Sequence, residues 1–67
     1  MDPITAARTE YEAAKAAHDT ARKAMVARAK ASGTYRHDPA ELKAVDALHK
    51  MSSKKYQAWW QLSHAAA

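Results

Sequence analysis

The side chains best suited to bind a metal ion or to transfer a proton are four histidines: His18, His37, His49 and His64. No two of them stand four positions apart, the spacing that brings a pair of histidines to one face of a helix around zinc. Asp46 and His49 are three apart and could supply two ligands, but two ligands leave a metal site incomplete. We therefore expect no metal site and no cofactor.

Catalysis through a nucleophile or a carboxylate pair is also not indicated. Ser52 and Ser53 have no histidine and aspartate relay at neighbouring positions. Glu10 and Glu12 point about 200° apart on a helix, so they cannot share a site. The chain has a single glycine, which excludes a glycine-rich phosphate loop. The sequence predicts a protein that is not an enzyme and has no small-molecule substrate.

The adjacent pair Trp59-Trp60 is the strongest candidate for a function. Neighbouring helical positions point about 100° apart, so Trp59 takes the centre of an apolar face and Trp60 its edge. Both could be structural, one within the chain and one in a dimer interface. Alternatively, Trp60 is an exposed anchor for another protein, because tryptophan and tyrosine are enriched at interface hot spots. The candidate protein-binding residues are Tyr11, Leu42, Tyr56, Trp59 and Trp60.

A basic cluster offers a second possibility. Residues 20–37 carry five lysines and arginines and no acid, although the whole chain has a net charge of only +4. Such a cluster can bind phosphates in a salt-dependent manner. The candidate nucleic-acid residues are Arg22, Lys23, Arg28, Lys30, Arg36 and Lys43, with Tyr35 and His37 available to stack on bases. The alternative is that these charges only keep the protein soluble, with Arg28 paired to Glu41 or Asp46.

These residues are positioned by two predicted helices. Asp2-Pro3 is a typical helix start and Ser32-Gly33 a typical stop, which predicts a first helix over about 3–32. Asp38-Pro39, followed by Glu41 in a capping-box position, predicts a second helix over about 39–64. A break at Ser52-Ser53 is an alternative, since serine is a weaker helix former than alanine. The short connection makes the helices antiparallel neighbours in one domain, residues 1–67.

Heptad spacing predicts which residues lie in the interface between the helices or between two copies. Large and very small residues alternate along the first helix, which lets another helix approach closely. His18 occupies one of these positions, as a hydrogen-bonded interface residue or as a pH-dependent switch. Antiparallel pairing would place Met25 near Val45 and Leu48, His18 near Ser52, and Tyr11 near Trp59 and Trp60. The predicted interface residues are Ile4, Ala7, Ala14, His18, Ala21, Met25, Val45, Leu48 and Leu62.

Size and composition argue that this hairpin needs a partner. The chain has 67 residues, of which 48% are apolar, but 18 of these are alanines and none is cysteine. Two helices of this kind enclose little core, so we expect a homodimer in the form of a four-helix bundle. In architecture that bundle resembles the Rop proteins, plasmid-encoded two-helix chains that dimerise and bind RNA. The resemblance is one of architecture and involves no shared residue motif.

The residues thus favour a small non-enzymatic protein that binds and modulates another protein through an aromatic helical face. We expect this modulation to be inhibition. Its simplicity suits a phage or mobile-element accessory factor. The alternatives are a dimeric nucleic-acid-binding regulator that uses the basic cluster, and a structural subunit of a larger helical assembly. No apolar run is long enough to cross a membrane and Met1-Asp2-Pro3 does not resemble a signal peptide, so we expect a cytoplasmic protein without a membrane partner.

Overall fold

Two long helices make up the chain in a computed structural model that describes residues 2–33 and 36–65. Helix α1 runs over Pro3–Ser32 and helix α2 over Pro39–Ala65. They pack side by side as an antiparallel hairpin about three times longer than it is wide, with extents of 50 × 17 × 14 Å. The predicted all-α helical hairpin is confirmed, and α2 ends one residue later than expected.

The helix ends follow the local chemistry of the sequence. The Asp2 carboxylate accepts hydrogen bonds from the backbone N–H groups of Ile4 and Thr5 at 3.4 and 3.2 Å. Gly33 has a φ of 74°, the left-handed conformation that suits glycine after a helix, and its N–H donates to the Lys30 carbonyl. At the start of α2 the Asp38 carboxylate accepts from the N–H of Ala40 at 2.8 Å.

Ser52-Ser53 does not interrupt α2. The Ser52 hydroxyl donates to the carbonyl of His49 at 2.9 Å, and this is how a buried serine satisfies its side chain inside a helix. The alternative of a broken second helix is therefore wrong. Glu41, placed in a capping-box position by the sequence, instead forms an ion pair with Arg28 across the hairpin.

The core is thin and lies along the line where the helices touch. The buried residues are Ala7, Met25, Ala29 and Ser52, and no large side chain in the described ranges is fully buried. Of the other predicted interface positions, most are half-buried, and these are Ile4, Ala14, His18, Ala21, Val45 and Leu48. Leu62 is different, since it is 40% exposed.

One detail of the predicted packing is corrected. Strict heptad spacing places Arg28 in the interface, but Ala29 is buried there and Arg28 is exposed. A straight helix turns every 3.6 residues rather than 3.5, so the contact line moves by one position over this length. The ring of His18 contacts that of His49, and Ser52, the residue expected near His18, lines the same groove as both rings.

Within the described residues, neither helix has a stretch apolar enough over sufficient length to cross a membrane.

Candidate functional site

An aromatic cluster joins the two helices at the end farthest from the connection. The Tyr11 ring of α1 stacks on the Trp59 ring of α2, with centroids 5.7 Å apart and planes at 18°. Tyr56 meets both rings edge-on, at centroid distances of 5.3 Å from Tyr11 and 6.0 Å from Trp59. Such offset and edge-to-face arrangements are those that aromatic rings favour. Tyr11 and Trp59, both half-buried, therefore hold the hairpin together.

Two aromatic side chains of α2 are about half exposed. Tyr56 is 45% exposed and Trp60 is 48% exposed, and they lie one turn apart on the same face. The sequence places Trp60 near Tyr11, but the structure turns it away from α1 and onto the imidazole of His64. We call the surface formed by Tyr56, Trp60 and His64 the aromatic patch.

The indole of Trp60 is held by its own helix. The His64 ring stacks on it with centroids 3.9 Å apart and planes at 18°. Nδ1 of His64 lies 2.9 Å from the carbonyl oxygen of Trp60, so the tautomer with a proton on Nδ1 donates a hydrogen bond there. Sequence reasoning missed this role of His64. The signal was the i, i+4 spacing of the two residues, which places their side chains together on a helix.

Shallow grooves flank the indole on both sides. One is lined by Tyr56, Gln57, Trp60 and Gln61. The other is lined by Tyr56, Trp59, Trp60, Ser63 and His64. Apart from the imidazole, the polar side-chain groups in these grooves are amides, hydroxyls and indole N–H groups, which carry no formal charge. The patch can therefore accept an apolar side chain and hydrogen-bond the groups around it.

Leu42 does not belong to the aromatic patch. It is 46% exposed and shares a face of α2 with Trp60 on a helical projection. Eighteen residues separate them, however, which is about 27 Å along the helix at 1.5 Å per residue. A helical projection does not show this axial distance. Of the five candidate residues, Tyr11 and Trp59 therefore join the two helices, Tyr56 and Trp60 belong to the aromatic patch, and Leu42 is remote from both pairs.

The middle of the same side of the hairpin is polar. The His18 and His49 rings lie 5.2 Å apart, and Nδ1 of His18 is 3.9 Å from Oδ1 of Asp19. Lys15 and Ser53 complete the wall of the groove in which these rings lie. Within residues 2–33 and 36–65, no three histidine or carboxylate side chains lie close enough together to hold a metal ion.

Only some residues of the basic cluster lie close together. Arg22, Lys23 and Lys30 surround a shallow depression on α1 with Val26 and Ala27 in its floor. Arg28 does not line this depression, because its guanidinium pairs with Glu41 of α2.

The other members of the predicted nucleic-acid set are more scattered. Arg36 lies in the connection and Lys43 is exposed on α2. Tyr35, expected to stack on bases, lies outside the described residues. The structure therefore gives one group of three cations rather than a surface of six.

No protein-family model, curated protein or solved structure matches this chain, which leaves its own residues as the guide to its function.

Proposed function

We propose that this chain is a non-enzymatic binding protein that modulates another protein by docking the aromatic patch onto it. The observation that carries the proposal is the state of Trp60, whose indole is about half exposed yet held in place by His64. An exposed tryptophan is unfavourable for a soluble protein, because it keeps apolar surface in contact with water. A held indole loses little conformational freedom on binding, which favours affinity.

The surroundings of the indole support an apolar protein surface as the partner. Tyr56 is braced by Tyr11 and Trp59, so both exposed rings of the patch are supported by the hairpin. Glutamines and a serine line the flanking grooves. Tryptophan and tyrosine with an uncharged polar rim fit an apolar protein surface, such as the apolar stripe of a helix. Occupying such a stripe blocks whatever else it contacts, which is how a small protein inhibits a larger one.

The test compares proteins captured by immobilised wild-type chain with those captured by Trp60→Ala and Tyr56→Ala. A hot-spot residue contributes about 2 kcal/mol or more, so the affinity for the captured protein should fall about 30-fold or further. Val26→Ala is the matched control, because Val26 is also an exposed apolar residue but lies far from the patch. It should capture the same protein with unchanged affinity. Equal capture by all four chains would remove the aromatic patch from the proposal.

Salt dependence provides a second readout. The two grooves beside the Trp60 indole are lined by no lysine, arginine, aspartate or glutamate, and only Tyr56 of the patch also lines the groove that contains Lys15 and Asp19. Affinity should therefore change little with ionic strength, since only contacts between charges are screened. A steep loss of binding in salt would point to the basic cluster instead.

Nucleic-acid binding is the second candidate function, and the grouping of Arg22, Lys23 and Lys30 around one depression favours it. Three phosphate contacts predict that the affinity for duplex DNA falls about 40-fold between 50 and 200 mM salt. A gel-shift series with Arg22→Ala and Lys23→Ala tests this, with Lys54→Ala as a control on the exposed surface of α2. Absence of any complex at low salt would exclude this function.

A further inference from the structure

The hairpin exposes more surface than a folded chain of its mass normally does. Its accessible area is 5173 Å² for a mass of 7.4 kDa. A compact monomer of that mass exposes about 4,200 Å². The radius of gyration, 15.3 Å, is likewise larger than the value of about 11 Å for a compact domain of this length. The excess of about 1,000 Å² is close to the roughly 800 Å² that each partner buries in a stable interface.

The side of the hairpin opposite the polar groove, the one lined by His18 and His49, presents small and apolar side chains to solvent. On α1 a row at three- and four-residue spacing presents Ala13, Ala17 and Ala24, all exposed. On α2 the corresponding row presents Ala44, Met51 and Leu62. Met51 is 52% exposed, the largest value among the large apolar side chains of residues 2–33 and 36–65. We call this surface the alanine face.

Two ion pairs show that both rows lie on one side of the hairpin. Glu10 belongs to the α1 row and Lys55 to the α2 row, and their charged atoms are 3.7 Å apart. Arg28, further along the α1 row, forms its ion pair with Glu41 of α2. Every charge of these rows is therefore neutralised within one chain. The face has no unmatched charge that docking would have to desolvate.

We infer that the alanine face is covered by a second copy of this chain, giving a homodimer. A two-fold interface brings a surface against itself, so it must be self-complementary, and a neutral face meets that requirement. The small side chains let the helix axes approach to about 8 Å, the short end of the range for packed helices. The polar groove on the other side is a poor alternative, because Lys15 and Asp19 both line it.

This inference goes beyond the proposed function, because it uses the other side of the molecule. A dimer joined through the alanine faces presents two aromatic patches, both free to bind. It also gives the thin core of each hairpin a second layer, as a four-helix bundle does.

The test is the solution mass of the wild-type chain and two matched variants by sedimentation equilibrium. Met51→Glu places a charge on the alanine face, and Ser53→Glu places the same charge two residues away on the opposite side of α2. Both positions are exposed in the single hairpin, so circular dichroism should show equal helicity at low concentration. The wild type and Ser53→Glu should have twice the chain mass. The dissociation constant of Met51→Glu should rise about 100-fold or more, since two copies of Met51 leave the interface.

Two outcomes overturn the inference. One is a wild-type chain that stays monomeric at high micromolar concentration. The other is a dimer that tolerates Met51→Glu but is lost in Trp60→Glu, which would make the aromatic patch the dimer interface and also remove the proposed function. Failure of the dimer alone is distinguishable, because monomeric Met51→Glu would still capture the partner protein while Trp60→Ala would not.

Discussion

The imidazole of His64 lies flat on the indole of Trp60, with centroids 3.9 Å apart and planes 18° from parallel. The same imidazole is hydrogen-bonded to the Trp60 carbonyl, so one histidine fixes both the ring and the backbone turn that carries it. An exposed tryptophan on a helix ordinarily samples several rotamers. Here the stacked arrangement selects one of them, which makes His64 part of the binding surface.

Replacing His64 by alanine should leave α2 helical and free the Trp60 indole. Loss of a stacking interaction of about 0.5–1.5 kcal/mol increases the population of alternative rotamers by about two- to tenfold. Acrylamide quenching measures this in a Trp59→Phe background, where Trp60 is the sole tryptophan. Quenching of Trp60 should increase in the His64→Ala variant. An unchanged quenching constant would contradict the stacked arrangement in solution.

Met25 should contribute more to stability than its neighbour Val26. Met25 is 7% exposed in the hairpin interface, whereas Val26 is largely on the surface. Replacing a buried methionine by alanine costs about 2–5 kcal/mol, and the thin core here favours the lower end of that range. Val26→Ala, the matched control, should change the free energy of unfolding by less than about 0.5 kcal/mol. Urea unfolding followed by circular dichroism measures both, and equal losses would argue against the placement of Met25.

Ser52 tests whether a buried hydroxyl stabilises or weakens α2. Its hydrogen bond goes to His49 in the preceding turn, a bond that competes with the helix rather than linking the two helices. Alanine is a better helix former by about 0.5 kcal/mol, so Ser52→Ala should be neutral or slightly stabilising. Ser53→Ala, at the adjacent exposed position, reports the change in helix propensity alone. A loss of more than about 1 kcal/mol at Ser52 but not at Ser53 would show that the hydroxyl has a further structural role.

The sequence was sufficient for the helices but not for their packing. Asp2-Pro3 and Asp38-Pro39 start helices and Gly33 ends one because capping depends on a few adjacent residues, and such local signals can be read directly. The alignment of one helix along the other could not be read in this way. An interface rich in alanine has few protruding side chains to select one alignment, so the sequence could place His18 near Ser52 but could not identify the contact of its ring with His49.

The candidate site could likewise be predicted from the sequence only in part. The position of Trp60 at the edge of an apolar face follows from helical periodicity, and its exposure agrees with that interpretation. Its contact with His64 depends on side-chain rotamers, which a helical projection does not contain. The alanine face was missed because the interface positions were chosen by heptad spacing alone, and Ala13, Ala17 and Ala24 lie outside that pattern, although a helix with alanine on several sides can contact more than one neighbour.

The start of α1 should depend on pH through Asp2. The hydrogen bond from the Thr5 hydroxyl, with those from the backbone of Thr5 and Ile4, lowers the pKa of the Asp2 carboxyl below its ordinary value. A depressed pKa in the folded state means that the cap contributes fully above the ordinary pKa of aspartate and is lost as the pH falls through the lowered value. In wild-type chain the amide resonances of Ile4 and Thr5 should therefore titrate with a midpoint below that of the urea-unfolded chain. Asp2→Asn keeps an acceptor that caps helices well but does not titrate, so in this variant both resonances should stay constant with pH. A wild-type midpoint equal to that of the unfolded chain would show that the capping bonds do not persist in solution.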